Sequence, residues 1–262
     1  MATRERKLVE LAKTRGASLA GIAAINQLSG SPSQMAAPLL APHSGIDPTV
    51  DGSVVAIDKH PPERESEGSV LVIGLEHPAD RPDLDWWDGR GTAGNRLLIE
   101  TLEQVRKEIE CRFGWVTRQF HYYVERGGIY LKDAAVLAGL GCIGRNNLLV
   151  TPEYGPRVRL RGLYLGVDLS PTGPSAFNPC RACSAPCRTV CPEQALDGCS
   201  FSPAERRHLS ALPAGDGAYS RNDCMRRMKK DEAAGSSNDT SSSRRVTYCR
   251  RCELVCPVGR TV

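Results

Sequence analysis

What most constrains this chain is the placement of its cysteines. One run, Cys180 to Pro192, reads Cys-Arg-Ala-Cys-Ser-Ala-Pro-Cys-Arg-Thr-Val-Cys-Pro. A second, near the C-terminus, reads Cys249-Arg-Arg-Cys252-Glu-Leu-Val-Cys256-Pro257, and Cys224 stands alone between them. These account for eight of the eleven cysteines in 262 residues.

Iron–sulfur ferredoxins of bacteria use C-x2-C-x2-C-x3-C-P, and the fourth cysteine ligates the other cluster in two-cluster proteins. Short gaps let three thiolates converge on one cube, and the proline turns the chain so that the fourth sulfur goes elsewhere. Here the middle gap is one residue longer, with Pro186 inside it, while the C-terminal run keeps the x2, x3 and Cys-Pro ending. Crossed pairing places Cys180, Cys183 and Cys187 with Cys256 on one [4Fe–4S] cluster. Cys191, Cys224, Cys249 and Cys252 then hold the other. The alternative is structural zinc, which takes four thiolates in a tetrahedron; it does not explain the repeated x3-Cys-Pro ending or a count of eight. Disulfides need an oxidising compartment, and nothing in the sequence directs the chain to one. Cys111 reads as a buried small apolar side chain, Cys142 as a small core residue, and Cys199 has no assignment.

The length allows one well-buried core plus a smaller module. A net charge of +4 is mild but uneven, with 14 Lys or Arg against nine Asp or Glu from Arg181 to Val262. That surplus offsets the negative charge of thiolate-bound clusters; docking of nucleic acid or an acidic electron donor is the sharper alternative. The first residues, Met-Ala-Thr-Arg-Glu-Arg-Lys-Leu, carry charge where a signal peptide needs an apolar stretch. No run approaches the ~18 apolar residues that cross a bilayer. With thiols that must stay reduced, the expected location is the cytoplasm, away from membranes.

Along the chain, residues 5–16 predict an amphipathic helix and Ser18–Ile25 a buried strand. From Asn26 to about Glu67 the Pro, Ser and Gly content reads as a long loop. Ser69–Glu76 is apolar enough to be a central strand, Asp83–Gly94 a polar loop, and Asn95–Phe113 a helix. Phe120–Val124 reads as a short strand, Leu131–Ala138 as a helix and Arg157–Leu165 as a strand. Gly139, Gly141 and Gly144 precede Arg145-Asn146-Asn147 in a loop whose backbone can turn tightly or approach a flat ligand. Lys132 and Asp133 read as a helix-start charge pair. The fold class is α+β, a mixed sheet with flanking helices over 1–170 and a ferredoxin-like double-cluster module over 171–262. Residues 232–243 read as a flexible insert.

Three stretches resemble the epoxyqueuosine reductase family and, more distantly, the reductive dehalogenases. They are Leu8 to Ile22, the segment Ala138-Gly-Leu-Gly-Cys-Ile-Gly-Arg-Asn-Asn-Leu-Leu, and the eight-cysteine layout with its lone Cys224. The resemblance implies a reductase that passes electrons through two [4Fe–4S] clusters to a bound cobalamin. It places Gly139, Gly141, Gly144, Arg145, Asn146 and Asn147 at the cofactor. Glu125, in Val-Glu-Arg-Gly-Gly, takes the position of the family's general acid, an aspartate in a Val-Asp-x-Gly-Pro context. Cys142 replaces the family's tryptophan. The implied partners are a low-potential donor, ferredoxin or flavodoxin, and a small-molecule or modified-nucleoside substrate. The helical repeats that help some members hold tRNA do not follow the cysteines here, which sets tRNA apart from the other partners. The alternative function is a ferredoxin-like carrier serving a corrinoid or other metalloenzyme, with no substrate of its own.

Overall fold

Thr3 opens helix α1 (Arg4–Thr14), its hydroxyl accepting the Arg6 N–H that has no partner within the helix. Leu8 and Ala12, one turn apart, form the buried stripe. Strand β1 (Leu19–Ala24) and a single helical turn, α2 (Ile25–Leu28), follow. The computed structural model describes residues 3–33, 67–121, 124, 128–198, 218–237 and 245–259. Most of the expected 26–67 loop, Glu125 and Cys199 lie outside the described residues.

Strand β2 (Ser69–Glu76) keeps the expected limits. The expected polar loop after it contains a 3₁₀ turn, Pro82–Asp85, and the two-residue strand β3 (Trp86–Trp87). Helix α3 (Ala93–Phe113) starts with the Thr92 hydroxyl on the Asn95 N–H and ends at Gly114 with φ 65°, a left-handed stop that suits glycine. Leu98, Leu102, Val105 and Ile109 form its buried stripe. Cys111 is exposed, contrary to expectation, because two residues beyond Ile109 is about 200° around the helix.

Next come β4 (Thr117–Gln119), α4 (Leu131–Leu137), the short pair β5 (Cys142–Ile143) and β6 (Leu149–Val150), and β7 (Val158–Leu165). The strand expected at Phe120–Val124 thus lies earlier, where Thr117–Gln119 find partners in Leu163–Leu165. Beyond β7 stand α5 (Pro186–Thr189), α6 (Arg221–Ser237), β8 (Val246–Thr247) and α7 (Arg251–Leu254). Helix α6 extends into the expected insert, since Glu232, Ala233 and Ala234 favour helix; residues 238–244 lie outside the described ones.

The main sheet has the order β1-β2-β7-β4. The expectation of mixed pairing is corrected: each ladder among the described strands is antiparallel. Strands β2 and β4 do run parallel, joined by α3, but β7 inserts between them, as in a split βαβ unit. Side chains alternate across β2. Leu71 and Ile73 join Leu8, Leu98 and Leu102 on the α1/α3 face. Val70 and Val72 join Ala134, Ala135, Ile143 and Leu149 on the α4 face. Burial on both faces is why β2 is apolar without alternation. A third small core, Ala185, Cys187 and Leu196, lies among the cysteines.

Candidate metal centre

The first cysteine run is a chain of tight turns. Pro179–Ala182 forms a 3₁₀ turn, and the Cys183 N–H reaches the Cys180 carbonyl at 3.4 Å. The extra residue in the middle gap is absorbed by Ala185 in the left-handed conformation, φ 59°. Pro186 then opens α5, where a missing N–H costs nothing. Backbone N–H groups already point at sulfur: Ala185 donates to Cys183 at 3.4 Å and Ala195 to Cys191 at 3.3 Å.

Cys180, Cys183 and Cys187 line one cavity with Cys256, which arrives from the end of the C-terminal run. Cys180, Cys187 and Cys256 are buried. Burial raises the pKa of Cys187 and of Cys256, and each is raised further by the neighbouring sulfurs of this group. Cys180 differs: a hydrogen bond from the Cys142 thiol lowers its pKa to about 6, with help from the Arg145 backbone and charge. Cys142 is 1% exposed, so its expected placement in the core holds.

The other four thiols also adjoin one another. Burial raises Cys224, as do Cys191 and Cys249 beside it, while the Tyr219 hydroxyl opposes with a hydrogen bond. Burial, followed by Cys249, Cys224, Glu253 and Cys191, pushes Cys252 up to about 12. Cys249 is the exposed member, and its N–H is held by Asp231 at 2.9 Å. Among the described residues no group of three or more His, Cys, Asp or Glu converges on a single ion. Tetrahedral zinc would need sulfurs about 3.8 Å apart.

The glycine-rich loop is a clasp on these segments. Arg145 donates to the Cys183 carbonyl at 2.9 Å, and Asn146 to the Cys252 carbonyl at 3.3 Å. Asn147, at φ 58°, turns its carbonyl to Lys132 Nζ at 2.6 Å. Close approach at the three glycines is made by the protein itself. A Cβ on Gly139 would meet the Thr172 carbonyl at 3.0 Å, one on Gly141 the Val150 carbonyl at 2.1 Å, and one on Gly144 the Val150 side chain at 2.6 Å. Lys132 and Asp133 take separate partners, Asp133 accepting from the Ser33 N–H at 2.7 Å and its hydroxyl at 2.6 Å.

Sequence reasoning missed a second set of fasteners. Arg157 donates to the Cys256 carbonyl at 3.3 Å and the Val258 carbonyl at 2.6 Å. Asp85 receives His77 at 2.9 Å, Arg159 at 2.8 Å and Arg250 at 2.6 Å. Burial works to raise the Asp85 pKa, but His77, Arg159 and Arg250 hold it below the usual range. Arg159 and Arg250 also reach Glu253, between Cys252 and Cys256. The available signal was arginine at alternate positions of an otherwise apolar strand, Arg157, Arg159 and Arg161; periodicity alone assigns those to solvent.

Over 211 residues the chain is 25% identical to the epoxyqueuosine reductase of Lactococcus garvieae, covering 76% of this chain and 54% of that protein. The chain is similar to the epoxyqueuosine reductases. A structure of such a reductase with a tRNA-Tyr epoxyqueuosine-modified stem loop superposes with a TM-score of 0.60 at 18% identity, over 97% of this chain and 64% of that one. A second similarity is to the tetrachloroethene reductive dehalogenase of Dehalobacter restrictus, 45% identical over 65 residues, 24% of this chain and 12% of that enzyme. The chain therefore spans about half of the matched reductase and a small part of the dehalogenase. No protein-family model matches it.

Proposed function

We propose that this chain is an iron–sulfur oxidoreductase, with Cys180, Cys183, Cys187 and Cys256 holding one [4Fe–4S] cluster and Cys191, Cys224, Cys249 and Cys252 the other. The observation that carries the reading is the grouping of eight thiols, distant in sequence, into two neighbouring fours. The first group of four lines a single cavity, and the repeated x3-Cys-Pro ending of both runs favours clusters over a zinc ion. Such clusters supply one-electron transfer at potentials down to about −700 mV. The protein's part is to bring the thiols together, to keep water from Cys180, Cys187 and Cys256, and to leave Cys249 open on the other group. That exposed side is where a donor of the ferredoxin or flavodoxin kind would meet the chain.

Cobalamin is a different matter. The six residues expected to approach it are turned to the protein's own backbone and to the cysteine segments. They do not form a cradle for a corrin, and no step is derived through one. Glu125 is proposed as proton donor by its place in the family's pattern. The substrate class proposed is a small molecule or a modified nucleoside, the latter supported by the stem loop held by the reductase structure. The relatives found are enzymes, which favours this reading over a carrier without a substrate.

Anaerobic reconstitution with iron and sulfide, with metal analysis, tests the proposal. About eight irons per chain and a broad visible absorbance bleached by dithionite are expected. Colourless protein that retains zinc would sink it. Co-elution of added hydroxocobalamin measures corrin binding separately.

A further inference from the structure

We propose that Asp231 is a positioning residue for the group of Cys191, Cys224, Cys249 and Cys252, fixing the Cys249 backbone and holding that centre at a lower potential. The inference rests on the reading of these four cysteines as cluster ligands. Helix α6 carries Cys224 and, seven residues on, Asp231. Seven residues are two turns, so both stand on one face of the helix, roughly 10 Å apart along its axis. Gly235, one turn further, lets the chain close on that face, for a Cβ there would meet the Arg245 carbonyl at 2.8 Å. Tyr248 and Cys249 are thereby laid along α6. The Tyr248 hydroxyl donates to Glu232 at 3.0 Å, and the Cys249 N–H donates to the Asp231 carboxylate at 2.9 Å. Asp231 is 7% exposed.

The carboxylate acts on the centre in two ways. Cys183 and Cys191 accept backbone N–H groups at sulfur, whereas the Cys249 N–H is committed to an oxygen and withheld from the cluster. Hydrogen bonds to the sulfurs and net charge both set cluster potentials. Withholding a donor and placing a negative charge nearby each disfavour the added electron. Burial protects that charge from screening by salt. Arg227 pairs with the other carboxylate oxygen at 2.5 Å, but its side chain is 34% exposed and water weakens its field. The negative end of the pair faces Cys249.

The test uses the full chain, loaded anaerobically, with iron analysis and an EPR-monitored redox titration of both centres. Amide hydrogen exchange at Cys249 in apo-protein gives a readout without metal. Asp231→Asn keeps an acceptor for the Cys249 N–H and removes the charge. It should hold about eight irons and keep the Cys249 amide protected. One centre should become easier to reduce by about tenfold, which is ~59 mV for one electron, while the other stays put. Asp231→Glu should return that potential toward wild type, and Asp231→Ala should expose the amide to exchange. Arg227→Gln should move the same centre the opposite way, and it carries the test if Asp231→Asn does not load. Full iron with both potentials unchanged would overturn the inference, as would fast exchange of the Cys249 amide in the wild-type chain. A wild-type chain that takes up no iron would sink the cluster reading, and this inference with it.

Discussion

Cys252, pushed up to about 12 by burial and by the sulfurs and Glu253 around it, cannot bind iron until it gives up its proton. Cys187, Cys224 and Cys256 are raised in the same direction. Ligation must therefore release protons, and the yield of iron loading into apo-protein should climb as pH rises from about 7 to 9. Iron uptake measured at a series of pH values checks this; a flat profile would count against the buried thiols as ligands. Single serine replacements separate the two groups. Cys256→Ser should lose about half the iron, from the group that includes Cys180, and Cys249→Ser about half from the other. Spectroscopy of the surviving centre distinguishes the two variants. Lys132 gives a prediction independent of metal. Burial lowers its pKa to about 8, with Asp133 opposing and Arg221 reinforcing. The folded chain thus binds fewer protons here than the unfolded one between pH 8 and 10.5, so stability should rise with pH across that window. Lys132→Met should lack the rise, seen as a difference between the two denaturation profiles.

At the scale of elements, β2 was fully legible because burial on both sides leaves a continuous apolar run, Ser69-Val-Leu-Val-Ile. Helices α1, α3 and α4 fell within two residues of their expected limits, for the 3.6-residue stripe marks them. What escaped was decided between elements. The ladder opposite Leu163–Leu165 drew β4 back to Thr117–Gln119, and the insertion of β7 removed any parallel pair. In the site, the spacing marked which cysteines group together, Cys180, Cys183, Cys187 and Cys256 lining one cavity, but the role of the glycine-rich loop was not legible. Its missing side chains serve contacts with Val150 and Thr172 that no local pattern announces. The loop yields a direct test. Gly141→Ala would set a Cβ 2.1 Å from the Val150 carbonyl, forcing β5 away from β6 at a cost of about 1–3 kcal/mol. A lower denaturation midpoint is the expected result.

For the molecule as a whole, two further ties join the Arg145, Asn146 and Arg157 contacts in holding the cysteine segments. Trp86 and Trp87 pair with Thr247 and Val246, and Arg245 lies 5.4 Å over the Trp86 ring. Asp85 gathers Arg159 and Arg250 beside Glu253. Asp85→Ala would leave two guanidinium groups short of a partner, at a cost on the order of 3–5 kcal/mol. Denaturant unfolding of apo-protein, together with iron retention, should show both weakened; unchanged iron retention would mean the clamp is purely structural. The wide separation of Cys187 from Cys256 has a consequence for biosynthesis. At roughly 5–20 residues per second of translation, the first three thiols of the proposed set leave the ribosome seconds before the fourth is made. Insertion of the proposed cluster would thereby be deferred until Cys256 has been made, and nascent chains arrested ahead of Val255 should carry no complete centre of that set.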